Sequence, residues 1–266
     1  MSRRRAVEAR LALFDDLAGI LGAMKSFALA ELHRVLRREQ AQHATLGMME
    51  RALAEVAEFL PLPPAPRRDT WLLLGSVRGF CGSFNDEVVG AWLDARQPGQ
   101  PTLVVGERLA AAMPPGAWVA LPGADGGLDA PAAIDRILAA FSAHAAPGEG
   151  LVACAHDERA PLVRRLLPLP GGGGRSGLAP LTNEAPPRVA AGVAQHYLFH
   201  ALLALLLASI RTENRRRLLQ MENALHHIER YRDDLTHLRN RLRQEEIVEE
   251  IEVMTGLRRA TGGTPT

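Results

Sequence analysis

Residues 193–255 contain neither glycine nor proline. An uninterrupted stretch of this kind reads as a single helix of about 60 residues, roughly 90 Å long at 1.5 Å per residue. Globular helices average about 11–12 residues, so such a length excludes most ordinary domain architectures. Met221, Ile228, Leu235 and Leu242 recur every seven residues, with Leu218 and Leu225 in the companion positions. Arg232 and Arg239 then stand where the companion series would continue, so charge interrupts the seam toward its C-terminal end. A lone helix cannot bury an apolar stripe, and this one therefore needs a partner.

Residues 6–60 supply it. They hold no proline, and Phe14, Leu17, Leu21, Met24, Ala28 and Val35 follow heptad steps. Glu31 occupies the expected apolar slot that is not filled, with Leu32 beside it as partial cover. The run Pro61-Leu62-Pro63-Pro64-Ala65-Pro66 ends this helix, because proline lacks the amide donor and clashes with the preceding turn. Two such helices, joined through everything between them, pair antiparallel.

The middle of the chain has a different texture. Trp71-Leu72-Leu73-Leu74, Thr102-Leu103-Val104-Val105, Ala117-Trp118-Val119-Ala120 and Leu151-Val152-Ala153-Cys154 read as strands. Residues 85–95 and 130–143 between them read as helices. This alternation predicts a small Rossmann-like α/β domain with a mainly parallel sheet. The expected fold class is thus α/β with long helices, divided as residues 1–60, 61–190 and 191–266. The tract Gly171-Gly172-Gly173-Gly174 reads as a flexible surface loop.

Composition narrows the function. A formal charge of +1 gives no bulk field for nucleic acid. Lys25 is the one lysine among 31 basic residues, an arginine bias that points to a GC-rich bacterial genome. Cys81 and Cys154 lie far apart in sequence, so neither a disulfide framework nor a metal knuckle is expected. No apolar run reaches about 18 residues; the longest candidate, residues 197–210, includes His200 and stops at Arg211. The basic start, Ser2-Arg3-Arg4-Arg5, is followed by Glu8, Asp15 and Asp16, which is unlike a secretory signal. The expectation is a soluble cytoplasmic chain.

Several motifs invite chemistry and each has a plainer reading. The glycines of Gly75-Ser76-Val77-Arg78-Gly79-Phe80-Cys81-Gly82-Ser83-Phe84-Asn85 lie between a strand and a helix, yet match neither dinucleotide nor P-loop spacing. A tight turn using positive φ accounts for them better. Cys81 as a nucleophile would need a base such as His156 or His144, and no spacing brings either close. His226, His227 and His237 lack zinc-helix spacing, which leaves a solvated helix face. Arg211-Thr212-Glu213-Asn214-Arg215-Arg216-Arg217 could hold phosphate, but reads more simply as a solvated or partner-facing surface. Arg243 carries a planar fork suited to a carboxylate or to carbonyls of another protein, or it pairs with a glutamate one turn away. No cofactor or metal is expected.

In order along the chain, these pieces resemble the gamma subunit of F-type ATP synthases. Ile20, Ala23 and Met24 are similar to the family's I-T-K-A-M. Ser76 to Asn85 resembles S-D-R-G-L-C-G-G-x-N, and Arg165-Leu166-Leu167-Pro168-Leu169-Pro170 a piece of the family's central domain. Thr212, Glu213, Arg217 and Met221 are similar to S-E-x-x-x-R-M-x-A-M. Asn240, Arg243, Gln244, Ile247, Glu250 and Ile251 resemble N-K-A-R-Q-x-x-I-T-x-E-I. Val77 replaces the usual Asp, Leu21-Gly22 the usual Thr-Lys, and Leu242 a small residue; the tail, residues 257–266, is polar. These departures point to a divergent bacterial member, one that fits an alternative ATPase. The chloroplast dithiol insertion is absent.

The resemblance implies a rotating shaft without an active site, standing inside a hexamer of alpha and beta subunits. Its central domain would rest with the epsilon subunit on the membrane c-ring, at the cytoplasmic face of a bacterial inner membrane. It implies that Arg243 and Gln244 form a catch on the beta subunit. Met24 and Lys25 would then lie at the rotor–stator contact, and Tyr197 and His200 at the ring end. Two other readings stand beside it: a coiled-coil scaffold, and a small α/β enzyme with helical arms.

Overall fold

The computed structural model describes residues 3–60, 65–66, 68–146, 148–169 and 181–261, the side chains through residue 255. The glycine tract, residues 61–64 of the proline-rich run and residues 262–266 of the tail lie outside them. A first helix, α1 (Arg3–Val56), runs into a short 3-10 turn, Ala57–Phe59. Then come β1 (Asp69–Leu74), α2 (Phe84–Ala95), β2 (Thr102–Val105), α3 (Glu107–Ala112), β3 (Val119–Leu121) and α4 (Ala130–His144). β4 (Gly150–His156), β5 (Pro161–Leu167) and the long α5 (Pro186–Thr261) complete the chain.

Helix α5 begins earlier than the sequence reading placed it. Pro186 and Pro187 open it, since the first turn of a helix needs no amide donor from them. By length and composition α5 contains an 18-residue window of mean hydropathy 1.6, more apolar than the sequence reading allowed. Half of that window is buried within the fold. Leu202, Leu205, Leu206 and Leu207 pack into the core, and that packing accounts for the apolar run.

The chain divides into two units. One comprises residues 27–220 and holds a five-stranded sheet in the order β3-β2-β1-β4-β5. Strands β1 to β4 are parallel; β5 pairs antiparallel with β4. The expected third strand shifts to Val119–Leu121, and β5 and α3 are additions to the sequence reading. Every residue of β2 and β4 is buried, as expected of parallel strands covered on both faces. Alternate side chains sort to the two faces. Leu72, Leu74, Leu103, Val105, Leu151 and Ala153 join α4, α1 and α5 in one core. Trp71, Leu73, Val104, Val152 and Cys154 join α2 and α3 in the other. Each fully buried leucine contributes about 1.5–3 kcal/mol relative to exposure.

Glu31, the unfilled slot, is 5% exposed in this unit. Its Oε1 accepts the Gly127 amide at 2.7 Å, and its Oε2 accepts from Arg34 at 3.1 Å. A Cβ at Gly126 would stand 2.3 Å from Glu31 Oε1, so a side chain there would displace the carboxylate.

The second unit is formed by the chain through residue 26 and from residue 221 onward. Lys25 pairs with Glu222 at 3.0 Å, Asp15 with Arg232 at 2.7 Å, and Arg4 with Glu246 at 3.0 Å. Phe14 stacks on Tyr231 with ring centroids 6.0 Å apart. One partner's number falls as the other's rises, so the helices run antiparallel, as the sequence predicts. The α1 seam differs in detail: Val7, Leu11, Phe14, Ala18 and Leu21 turn inward, whereas Leu17 is 39% exposed. On α5, Met221 and Ile228 are buried and Leu235 and Leu242 half-buried, so the seven-residue series holds. The charge break at Arg232 is met by Asp15.

Candidate functional site

In a sheet of this strand order the connections leave β1 and β4 in opposite directions, and a crevice forms at their carboxyl ends. Doubly wound proteins bind ligands there. Here the chain's own side chains fill it. At the end of β1, Ser76 N donates to Asn85 Oδ1 at 3.0 Å, and Asn85 Nδ2 donates to Ser76 Oγ at 2.8 Å. His156 at the end of β4 is fully buried, stacked on Phe84, with Nε2 2.6 Å from Glu87 Oε2. Arg216 of α5 donates through Nη1 and Nη2 to the two Glu87 oxygens, each at 2.8 Å, and its Nη2 lies 3.0 Å from His156 Nε2.

Arg217, only 4% exposed, holds the turn that follows β1. Nε donates to Gly79 O at 3.0 Å, Nη2 to Arg78 O at 3.3 Å, and Nη1 to Asn214 Oδ1 at 2.9 Å. Its guanidinium also bonds Glu213. Burial pushes the Glu213 carboxyl up, against the pull of Arg217. Within the turn Gly82 has φ of 63°, as a glycine turn requires. So does Phe80, a non-glycine residue in the left-handed region, and its ring is exposed. Gly75 serves differently: a Cβ there would collide with the Leu109 side chain at 2.2 Å.

The arginine run is therefore only partly solvated: Arg215 is exposed, Arg211 and Arg216 are half-buried and Arg217 is buried. Arg211 reaches Glu39, Asp157 and Glu158; Arg215 reaches Glu158; Arg216 reaches Glu87; Arg217 reaches the turn. Sequence reading missed Glu87 and His156 as its partners, and no local signal pointed to them.

The hydrogen bond from Arg216 holds the Glu87 carboxyl well below the usual carboxylate range, helped by His156 and Ser83 against the opposing effect of burial. Its folded pKa lies below the unfolded value near 4.5, so its contribution to stability is full above that pH. The contribution is lost as pH falls toward the folded value. Denaturant titration across the acid range should show Glu87→Gln less stable near neutrality, with a shallower loss below pH 4.5 than the native chain.

Neither cysteine suits nucleophilic work. Cys81 is buried and donates its thiol to Ser76 Oγ at 3.4 Å. Burial pushes that thiol up, and it pushes Cys154 up to about 12. A reactive cysteine needs the opposite shift. Among the described residues no group of three His, Cys, Asp or Glu is placed to hold a metal.

The residues expected to touch partners are scattered. Arg243 and Gln244 are exposed near the end of α5, and neither side chain bonds another described residue. Met24 is half-buried, and Lys25 is paired with Glu222. Tyr197 lies in the core at 7% exposure. His200 is half-buried, with Gln42 Nε2 donating to its carbonyl at 2.8 Å. Met24, Lys25, Arg243 and Gln244 belong to the unit of residues 1–26 and 221–266, and Tyr197 and His200 to the unit of residues 27–220.

A protein-family model described as ATP synthase matches residues 3–258. The chain belongs to the ATP synthase gamma-subunit family. That family is a stalk subunit of the synthase. Solved structures share the fold. A chain from the rotor of the Euglena gracilis mitochondrial ATP synthase aligns over 92% of this chain and 98% of its own, at 18% identity and TM-score 0.62. A chain of that synthase in rotational state 3 aligns over 99% and 97%, also at 18% identity, with TM-score 0.67. A chain from the central stalk and c-ring of the Tetrahymena thermophila mitochondrial ATP synthase aligns over 77% and 99%, at 18% identity and TM-score 0.52. A search of curated protein sequences finds no match.

Proposed function

We propose that this chain is the central shaft of a rotary ATP synthase, coupling ion flow through a membrane ring to ATP synthesis or hydrolysis in the beta subunits. The observation that carries the reading is the family match over residues 3–258. Solved neighbours from a rotor and a central stalk support it. In this reading residues 1–60 and 191–266 form the shaft, and residues 61–190 the foot that sits with the epsilon subunit on the c-ring. The shaft does no chemistry of its own. Turning within the alpha–beta hexamer, it presents a different face to each beta subunit and favours one nucleotide affinity after another. A charged helix surface suits that task, because broad apolar contacts would trap one angle. The place of work is the cytoplasmic face of a bacterial inner membrane, a reading supported by the arginine-rich composition.

Within that reading Arg243 and Gln244 form the catch on the beta subunit, supported by the exposure of their side chains, which bond no other described residue. Met24 and Lys25 mark the rotor–stator contact on α1, and His200, beside the buried Tyr197, the ring end. Arg243→Ala should lower coupled ATPase of the assembled complex about ten- to a hundredfold, the scale of a charge-assisted bond of roughly 1.5–3 kcal/mol. Assembly and the unfolding midpoint of the isolated chain should stay unchanged; unchanged coupling would remove the catch assignment. The function itself is tested by native mass spectrometry of the chain co-expressed with its alpha and beta subunits. One copy per hexamer is expected, whereas a homodimer would favour the scaffold.

A further inference from the structure

We propose that Arg216 and Glu87 are positioning residues through which turning force passes between α5 and the α/β domain. The proposal rests on the shaft reading. Helix α5 meets that domain in two ways. Its buried leucines, with Ala201 and Ile210, enter the core on the α4 face of the sheet. Apolar contact is non-directional. The second attachment is directional.

Arg215, Arg216 and Arg217 succeed one another on α5, so they point about 100° apart around its axis. Arg215 ends on Glu158, Arg216 on Glu87 and Arg217 on the carbonyls of Gly79 and Arg78. Rotation of the helix in either sense must stretch at least one of these bonds. Arg216 is the member that reaches α2, which packs on the opposite face of the sheet from the α5 leucines. Both nitrogens of its fork are engaged by both carboxylate oxygens at 2.8 Å, a geometry that resists twist as well as separation. The tie thus joins α5 to the layer its apolar side does not touch.

The test uses the complete complex, with a bead on a cysteine introduced at the exposed Asp94 of α2. Native Cys81 and Cys154 are buried, so the label goes to the new site. Two quantities are read: the angular spread of the bead in complexes stalled with a non-hydrolysable nucleotide, and ions pumped per ATP hydrolysed. Arg216→Gln and Glu87→Gln should each widen the spread about twofold and lower the pumping ratio, while ATP hydrolysis persists. The exchanged pair, Glu87→Arg with Arg216→Glu, should narrow the spread again. An unchanged spread in both single variants would overturn the proposal. So would a widening that the exchange does not reverse, since that marks general loosening. If the native chain itself fails to assemble, the shaft reading falls first and the clamp with it.

Discussion

Arg217→Ala should destabilise the chain by about 3–5 kcal/mol, the largest effect of any single substitution near the turn. The reason is what stays behind. Glu213 is 6% exposed, and Arg217 is the cation bonded to it. Without Arg217 a buried carboxylate loses its charge partner, and the Arg78 and Gly79 carbonyls lose their donor. Burial already raises the Glu213 carboxyl, and loss of Arg217 removes a pull in the other direction. With its folded pKa above the unfolded one, the native state of the variant binds the extra proton. Its deficit relative to the native chain should therefore be full at high pH and shrink as pH falls through that raised value. Denaturant unfolding at neutral and mildly acidic pH measures both effects. Pairing Arg217→Met with Glu213→Gln should recover part of the loss, because it removes the orphaned charge.

Phe84→Ala comes next, at about 3–5 kcal/mol. Phe84 is fully buried at the start of α2, stacked on His156 with centroids 5.2 Å apart, and Arg216 lies 6.0 Å from its ring. Truncation opens a cavity directly under the Glu87–His156–Arg216 cluster. Calorimetry of the isolated chain should show the lowered unfolding temperature, and Phe84→Leu should restore much of it by refilling the space.

Some of this was legible before any coordinates. A stretch without glycine or proline announces a long helix, and full-length apolar runs announce buried parallel strands. The inward face of α1 was less so. Starting from Phe14, the steps to Leu17 and to Ala18 both satisfy a heptad, and the partner helix alone decides between them. Strand β5 was hidden because Arg164, Arg165 and its flanking prolines break the apolar signal at an edge of the sheet. The arginines of α5 misled for a related reason. A local run of charge reads as solvated unless its partners are known, and Glu87 lies 129 residues away. Glu31 is the same lesson in miniature: an apparent gap in a seam is a bond to Gly127, 96 residues on. Long-range polar pairing has no periodicity for a sequence to display.

Rotation-linked catalysis by partner subunits is open to direct reconstitution. Purified cognate alpha and beta subunits would be mixed with and without this chain, and ATP hydrolysis followed. A complex is expected whose sustained ATPase depends on adding the chain, while the chain alone turns over nothing. Equal hydrolysis with and without it, or a homodimer of the chain that ignores both partners, would rule out the shaft role.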